Sequence, residues 1–151
     1  MLARVGKRIV CLRLAVIKNK EVVSRGINER IFQTIDFVRN FDHAFENLFF
    51  YGDTGLGKTF LSHCIAKELI ESTHSVIYFS AFRLFELFAD STFGRTDSAS
   101  QQELEQHIFE CDLLIIDDLG TELVNSFVSS QLFLVFNERI LRRISSLIST
   151  N

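Results

Sequence analysis

The sequence predicts an α/β domain: a parallel sheet with helices on both of its faces. Three observations carry this. Short apolar runs alternate with amphipathic stretches from residue 27 to residue 151, no internal repeat or low-complexity tract breaks that order, and three polar features fall at the ends of apolar runs. Strands separated by helices run parallel through right-handed crossovers. Ligands on such a sheet bind at the carboxyl ends of its strands, where the polar features lie.

Taken in order, Ile27, Ile31, Phe32, Ile35, Val38 and Phe41 recur at helical spacing and predict a helix over 27–41. "NLFFY" (47–51) is a short apolar run ending at glycine, suited to a strand buried on both faces. Residues 58–71 form the next helix. "SVIYFS" (75–80), β-branched and aromatic, is a second strand, and "AFRLFELFAD" (81–90) is helical again. "STFGRTDSAS" (91–100) reads as a loop and "QQELEQHIFE" (101–110) as helix. "DLLIIDD" (112–118) is a third strand running straight into two acids. Residues 126–143 form a long helix ending in "RILRR", cations where a helix C-terminus favours them, and "SSLISTN" (145–151) is a fourth strand.

Bulk properties agree with one soluble domain. The 151 residues are enough to bury roughly two-thirds of the unfolded surface. The chain is 47% hydrophobic and 23% charged, and no apolar run approaches the ~20 residues of a membrane span. Cys11, Cys64 and Cys111 are odd in number and lack CxxC or metal-ligand spacing. That pattern fits a reducing cytoplasm, with Cys64 and Cys111 as core residues. Proline is absent, so turns must rest on Gly, Asn, Asp and Ser, and the 16 phenylalanines fall mostly at core spacing.

Charge is uneven. Arg4, Lys7, Arg8, Arg13, Lys18 and Lys20 stand in the first 20 residues without an acid, and removing those six cations from the net of −3 leaves −9 for the remainder. Residues 1–26 are therefore read as a basic, poorly defined arm: a solvated tail, a segment displaced from its natural context, or a nucleic-acid contact. A secretory leader is not expected, because Arg13 interrupts "IVCLRLAVI" and no small-residue cleavage site follows.

Gly52-Asp53-Thr54-Gly55-Leu56-Gly57-Lys58-Thr59 matches G-x-x-x-x-G-K-[ST], the phosphate-binding P-loop. Glycines let the backbone curl so that successive N–H groups converge on phosphate oxygens, and the helix that follows adds its positive end. Lys58 would reach the β and γ phosphates, and the Thr59 hydroxyl would ligate Mg²⁺. From average composition the pattern arises by accident in roughly one chain of this length in a few hundred, and its place between strand and helix lowers that further.

Asp117 and Asp118 end the third predicted strand. An acid there can hold the Mg²⁺ shell, and a second can polarise water for attack on the γ-phosphate; alternatively, the pair simply opens a turn. Thr150 and Asn151 end the fourth strand, where a polar group between the P-loop and the acids would orient that water, touch the γ-phosphate or merely terminate the strand. Nucleotide and small-molecule kinases usually lack the second acid and the polar strand end, so the set favours an ATPase that uses water.

These residues carry a family resemblance. "NLFFYGDTGLGKTFLSHCIAKEL", "SVIYFSAFRLFE", "CDLLIIDDLGTE" and "FNERILRR…ISTN" resemble the AAA+ ATPase core of bacterial replicative helicase loaders of the DnaC/DnaI type, and the related IstB-like ATP-binding proteins of transposition. The resemblance spans about residues 27–151 and implies a P-loop NTPase of the AAA+, ASCE type. It implies ATP held by Gly52, Asp53, Thr54, Gly55, Leu56, Gly57, Lys58, Thr59 and Phe60, and Mg²⁺ held by Thr59 and Asp117. Asp118, Lys58 and Asn151 would then be catalytic, Asn151 as sensor 1. Asp118 departs from the general AAA+ preference for Glu, although "IIDDLG" is how these loaders usually read.

The extra helical segment 81–110 fits the initiator/loader branch, where it contributes to single-stranded DNA contact or subunit assembly. Arg83 and Arg95 are candidates for that contact or plain surface arginines. Implied partners are a replicative DNA helicase, single-stranded DNA and further copies of the chain, with no membrane. Members also carry an N-terminal helicase-docking region that residues 1–26 do not match, and continue past sensor 1 into a fifth strand, an arginine finger and a lid. Residues 27–151 thus resemble a partial AAA+ domain lacking the fifth strand and lid. The expectation is ATP·Mg binding with slow turnover and one side of the sheet unpaired. Three functions fit: a helicase loader, a transposition helper delivering a transposase, or a non-hydrolysing module whose bound nucleotide fixes a partner surface. The partner retained on co-purification would separate the first two.

Overall fold

The computed structural model describes residues 15–18, 21–23, 27–92, 99–120 and 126–151. Along the chain these form β1 (Ala15–Lys18), β2 (Glu21–Val23), α1 (Ile27–Arg39), β3 (Leu48–Tyr51), α2 (Lys58–Glu71), β4 (Val76–Ser80), α3 (Ala81–Thr92), α4 (Ala99–Glu110), β5 (Leu113–Leu119), α5 (Ser126–Leu141) and β6 (Ser145–Thr150). The sheet runs β2-β1-β3-β6-β5-β4. Its β3, β6, β5 and β4 are mutually parallel, so β6 and β5 stand between the strand before the glycine loop and its sequence neighbour β4.

Side-chain alternation along β5 builds the two cores. Leu113 and Ile115 pack with Leu147 of β6, Phe37 of α1 and Ile65 and Leu69 of α2. Leu114 and Ile116 face the other way, against Leu84 and Phe88 of α3, Ile108 of α4 and Val135 of α5. A strand covered on both faces needs apolar residues at consecutive positions, which is why "LLII" does not alternate. Each such side chain contributes about 1.5–3 kcal/mol when fully buried.

Within the range read as an arm, residues 15–18 and 21–23 form strands, and these correct the expectation of an unpaired sheet side. β1 lies antiparallel to β3, with Ala15 opposite Tyr51 and Val16 opposite Phe50, and β2 lies antiparallel to β1. An edge strand with unmet N–H and C=O groups is a template for pairing, and this hairpin fills that place on β3. Val16, Ile17, Val22 and Val23 suit a pleated surface, but the flanking cations mask the signal in the sequence. Arg4, Lys7, Arg8, Arg13 and Cys11 lie outside the described residues.

Helix ends shift by small amounts. α3 runs two residues into the expected loop and α4 starts at Ala99, leaving 93–98 outside the described residues. α5 stops at Leu141 rather than 143, because Arg143 turns left-handed (φ 58°) and its N–H closes onto the Ile140 carbonyl at 3.0 Å. The expectation that the arginines of "RILRR" serve the helix dipole fails for Arg139. Its side chain is fully buried, at 0% exposure, and donates to the carbonyls of Ile108 and Ser145. Among the described residues, no helix is long and apolar enough to cross a membrane.

At the amino end of β4, α2 closes through a left-handed Thr73 (φ 70°), and the His74 N–H reaches the Leu69 carbonyl at 3.0 Å. His74 Nε2 lies 2.8 Å from Asp42 Oδ1 and its ring packs edge-on against Phe41. The hydrogen bond to Asp42 raises the His74 pKa above its usual 6.5, with further help from the Asp42 and Asp112 charges against the cost of burial. A raised pKa in a base stabilises the fold below the unfolded value and loses that stabilisation as pH rises through the folded one. The Tm gap between the wild-type chain and Asp42→Asn should therefore be widest below pH ~6.5 and close above it, the contribution being at most about 1 kcal/mol. A gap that does not change with pH would exclude this coupling.

Candidate functional site

The loop after β3 is shaped by positive backbone angles at Gly52 (φ 139°), Gly55 (φ 84°) and Gly57 (φ 83°). A Cβ at Gly55 would meet nothing within 4 Å, so conformation rather than space requires glycine there. Gly57 is the N-cap of α2 and supplies no side-chain cap, which leaves the first amides of the helix open toward the loop. Lys58 begins α2 and folds back under the loop. Only 7% exposed, its Nζ donates to the carbonyls of Gly52 at 2.6 Å and Asp53 at 3.1 Å, and to Asn151 Oδ1 at 2.9 Å.

Asn151 extends that chain. Its Nδ2 donates to Asp118 Oδ1 at 2.9 Å, so one side-chain amide bridges the loop lysine and an acid from β5. Asp118 reaches this position through an irregularity in the sheet. Ile116 pairs with Ile148, but the next pair is Leu119 with Thr150, and Asp118 stands left-handed at φ 61°. In a regular strand, Asp117 and Asp118 would point to opposite faces. The extra residue takes the second acid out of that alternation and toward Asn151.

Asp117 is 6% exposed and continues the β5 face that carries Leu113 and Ile115 toward α2. Ser149 donates to its Oδ1 and Tyr78 donates to its Oδ2 at 2.5 Å. Burial alone would raise the pKa of this carboxyl; the bonds from Ser149 and Tyr78 outweigh it and hold the group below the usual carboxylate range. Burial, followed by the bond to Asp117, pushes the Tyr78 phenol upward, so Tyr78 acts as a donor. Its ring stacks on His63, one turn beyond Thr59, with centroids 4.6 Å apart.

Tyr78, Ser149 and His63 escaped the sequence reading. Ser149 adjoins the polar strand end already singled out, but Tyr78 reads only as a strand aromatic until the β4–β5 register is known. Thr150 takes a different place from Asn151: its hydroxyl donates to the Leu119 carbonyl at 2.6 Å and pins the turn after the acids. Asp53, Thr54 and Gly55 are exposed, Leu56 and Gly57 half-buried, and the Phe60 ring is 55% exposed, away from the core. Arg83 is exposed and paired with Glu86 at 3.0 Å, and Arg95 lies outside the described residues. Cys64 is half-buried and Cys111 buried, neither at the site.

The donor set fits Mg²⁺. Thr59 and Asp117 offer hard oxygens, and this ion is commonly held by one or two such ligands plus waters and phosphate oxygens. Among the described residues, no cluster of three or more His, Cys, Asp or Glu builds an all-protein cage for a metal.

The strand order, the glycine loop opening α2 and the acids at the end of β5 define a P-loop NTPase of the AAA+ class. The chain belongs to the bacterial DnaA ATPase domain family, whose model matches residues 24–149. Two curated relatives illustrate the range. The replicative helicase loader DnaC of Buchnera aphidicola subsp. Baizongia pistaciae is 25% identical over 133 residues, covering 88% of this chain and 52% of that protein. The chromosomal replication initiator protein DnaA of Gluconobacter oxydans is 36% identical over 95 residues, covering 62% of this chain and 19% of that protein. The chain thus spans between a fifth and about half of the length of these relatives. A solved structure of the replication initiator DnaA bound to AMPPCP and single-stranded DNA superposes with a TM-score of 0.70 at 22% identity, over 85% of this chain and 39% of that one.

Proposed function

We propose that this chain binds ATP·Mg at the loop of residues 52–60 and belongs to a replication ATPase of the helicase-loader type. The observation that carries the reading is the Lys58–Asn151–Asp118 chain, which joins the loop lysine to an acid through one amide. Lys58 would leave the Gly52 and Asp53 carbonyls for the β and γ phosphates, while the loop amides and the open start of α2 receive the remaining oxygens. Thr59 and Asp117 would hold Mg²⁺, which neutralises charge on the phosphates. Asp118 would accept the proton of an attacking water, and Asn151, already bonded to it, would orient that water or sense the γ-phosphate. This is hydrolysis of ATP to ADP and phosphate, proposed for the whole protein.

A related initiator bound to AMPPCP and single-stranded DNA supports the ligand. Alignment with a helicase loader over 88% of this chain supports the loader role and with it a replicative helicase and single-stranded DNA as partners. Titration calorimetry with ATP, run with and without Mg²⁺ beside a turnover assay, should show micromolar, Mg²⁺-enhanced binding. No heat at millimolar ATP would reject the site. Retention of the replicative helicase on immobilised chain in ATP·Mg is expected, and its failure would favour the initiator or transposition-helper reading.

A further inference from the structure

The proposed roles leave Tyr78 and His63 without a task, although together they cover the flank of Asp117. Among the described residues β4 is the outermost strand on that side of the sheet, and no further strand shields the acid there. Instead the His63 ring, from α2, lies flat on Tyr78 (interplanar angle 11°), and the Tyr78 hydroxyl reaches Asp117 Oδ2 while Ser149 holds Oδ1. A carboxylate rotates freely about its last torsion when only one oxygen is tied, because that torsion has broad wells. Tying both oxygens to different strands fixes the plane of the group, and each oxygen keeps a lone pair for further contacts.

We propose that Tyr78, clamped by His63, is a positioning residue that orients Asp117 for Mg²⁺ and so sets the Mg²⁺ dependence of nucleotide binding. This rests on the ATP·Mg reading above. Partners that orient metal ligands typically account for 10–100-fold in metal affinity. A tyrosine merely filling the core would affect nucleotide binding equally with and without the ion.

The test titrates MgCl₂ into chain and a fluorescent ATP analogue, with parallel titrations of the analogue in EDTA. In Tyr78→Phe, which keeps the stacked ring and loses only the hydroxyl, the Mg²⁺ concentration for half-maximal binding should rise about 10-fold, with EDTA binding at the wild-type level. His63→Ala should raise it less, and should add nothing in the Tyr78→Phe background, because both act through one hydroxyl. Should Tyr78→Phe fail to fold, His63→Ala carries the test, its ring being exposed. An unchanged Mg²⁺ midpoint, or equal losses with and without Mg²⁺, overturns the positioning role. Additive effects overturn the clamp. If the wild-type chain binds no analogue under either condition, the ATP·Mg reading fails and this one falls with it; binding with an unshifted midpoint sinks this one alone.

Discussion

Replacing Lys58 by alanine should weaken ATP·Mg binding by at least about 100-fold. Hydrogen bonds from a charged donor are worth about 1.5–3 kcal/mol each, and losing two phosphate contacts at the lower figure is roughly 3 kcal/mol, or a hundredfold in affinity. The variant should nevertheless fold. Lys58 Nζ bonds the Gly52 and Asp53 carbonyls and Asn151, and since Asp53 and Asn151 are exposed, water can reach the acceptors it leaves. Titration calorimetry reads the affinity and circular dichroism the fold. A folded Lys58→Ala chain that binds ATP·Mg within about threefold of wild type, a difference under 1 kcal/mol, would remove the lysine from the site and with it the case for the loop.

Arg139→Ala should be the most damaging single change to stability, at about 4 kcal/mol. The guanidinium is fully buried at the opposite end of the sheet from the loop. It donates to the Ile108 carbonyl at 2.8 Å, the Ser145 carbonyl at 2.5 Å, Ser146 Oγ at 3.0 Å and Cys111 Sγ at 3.4 Å. One side chain thereby ties α5 to the end of α4 and the starts of β5 and β6. Truncation leaves carbonyls dry and unpaired, at about 1–3 kcal/mol each, and opens a cavity. Part of that is recovered because a buried cation no longer has to be desolvated, so the estimate stays below the simple total.

A loss of this size is a large share of the 5–15 kcal/mol typical of domains and should lower Tm by roughly 8–16 °C. Arg139→Met, which keeps most of the volume, should recover only the cavity part. A Tm within about 2 °C of wild type for Arg139→Ala would mean that water satisfies those carbonyls after all.

Much of the molecule was legible without coordinates, wherever the determinant is local. The glycine loop is contiguous, so its spacing alone announces a strand, a tight turn and a helix start. Helical spacing in α1 and the unbroken apolar run of β5 reported the covered faces, because burial on one stripe or on two faces leaves a periodic trace in composition. The placement of Asp117, Asp118 and Asn151 at strand ends followed from the α/β order.

Other features depend on partners distant in the chain. Arg139 looks like a surface cation completing a helix dipole, and only the packing of α4, β5 and β6 around it makes it a core residue. The β1–β2 hairpin was hidden by its basic flanks, since its stability comes from the free edge of β3 rather than from its own residues.

By itself, then, the sequence determined the parallel α/β order, the glycine-loop geometry and the identity of the polar groups at the strand ends, because each is written in residues close together along the chain. Tertiary structure alone decided how those groups meet. Asp118 turns left-handed at the end of β5, Asn151 links it to Lys58, and Tyr78 and Ser149 hold Asp117. Register, bulges and buried hydrogen bonds are properties of strand pairs rather than of strands, and a pair exists only once the chain has folded.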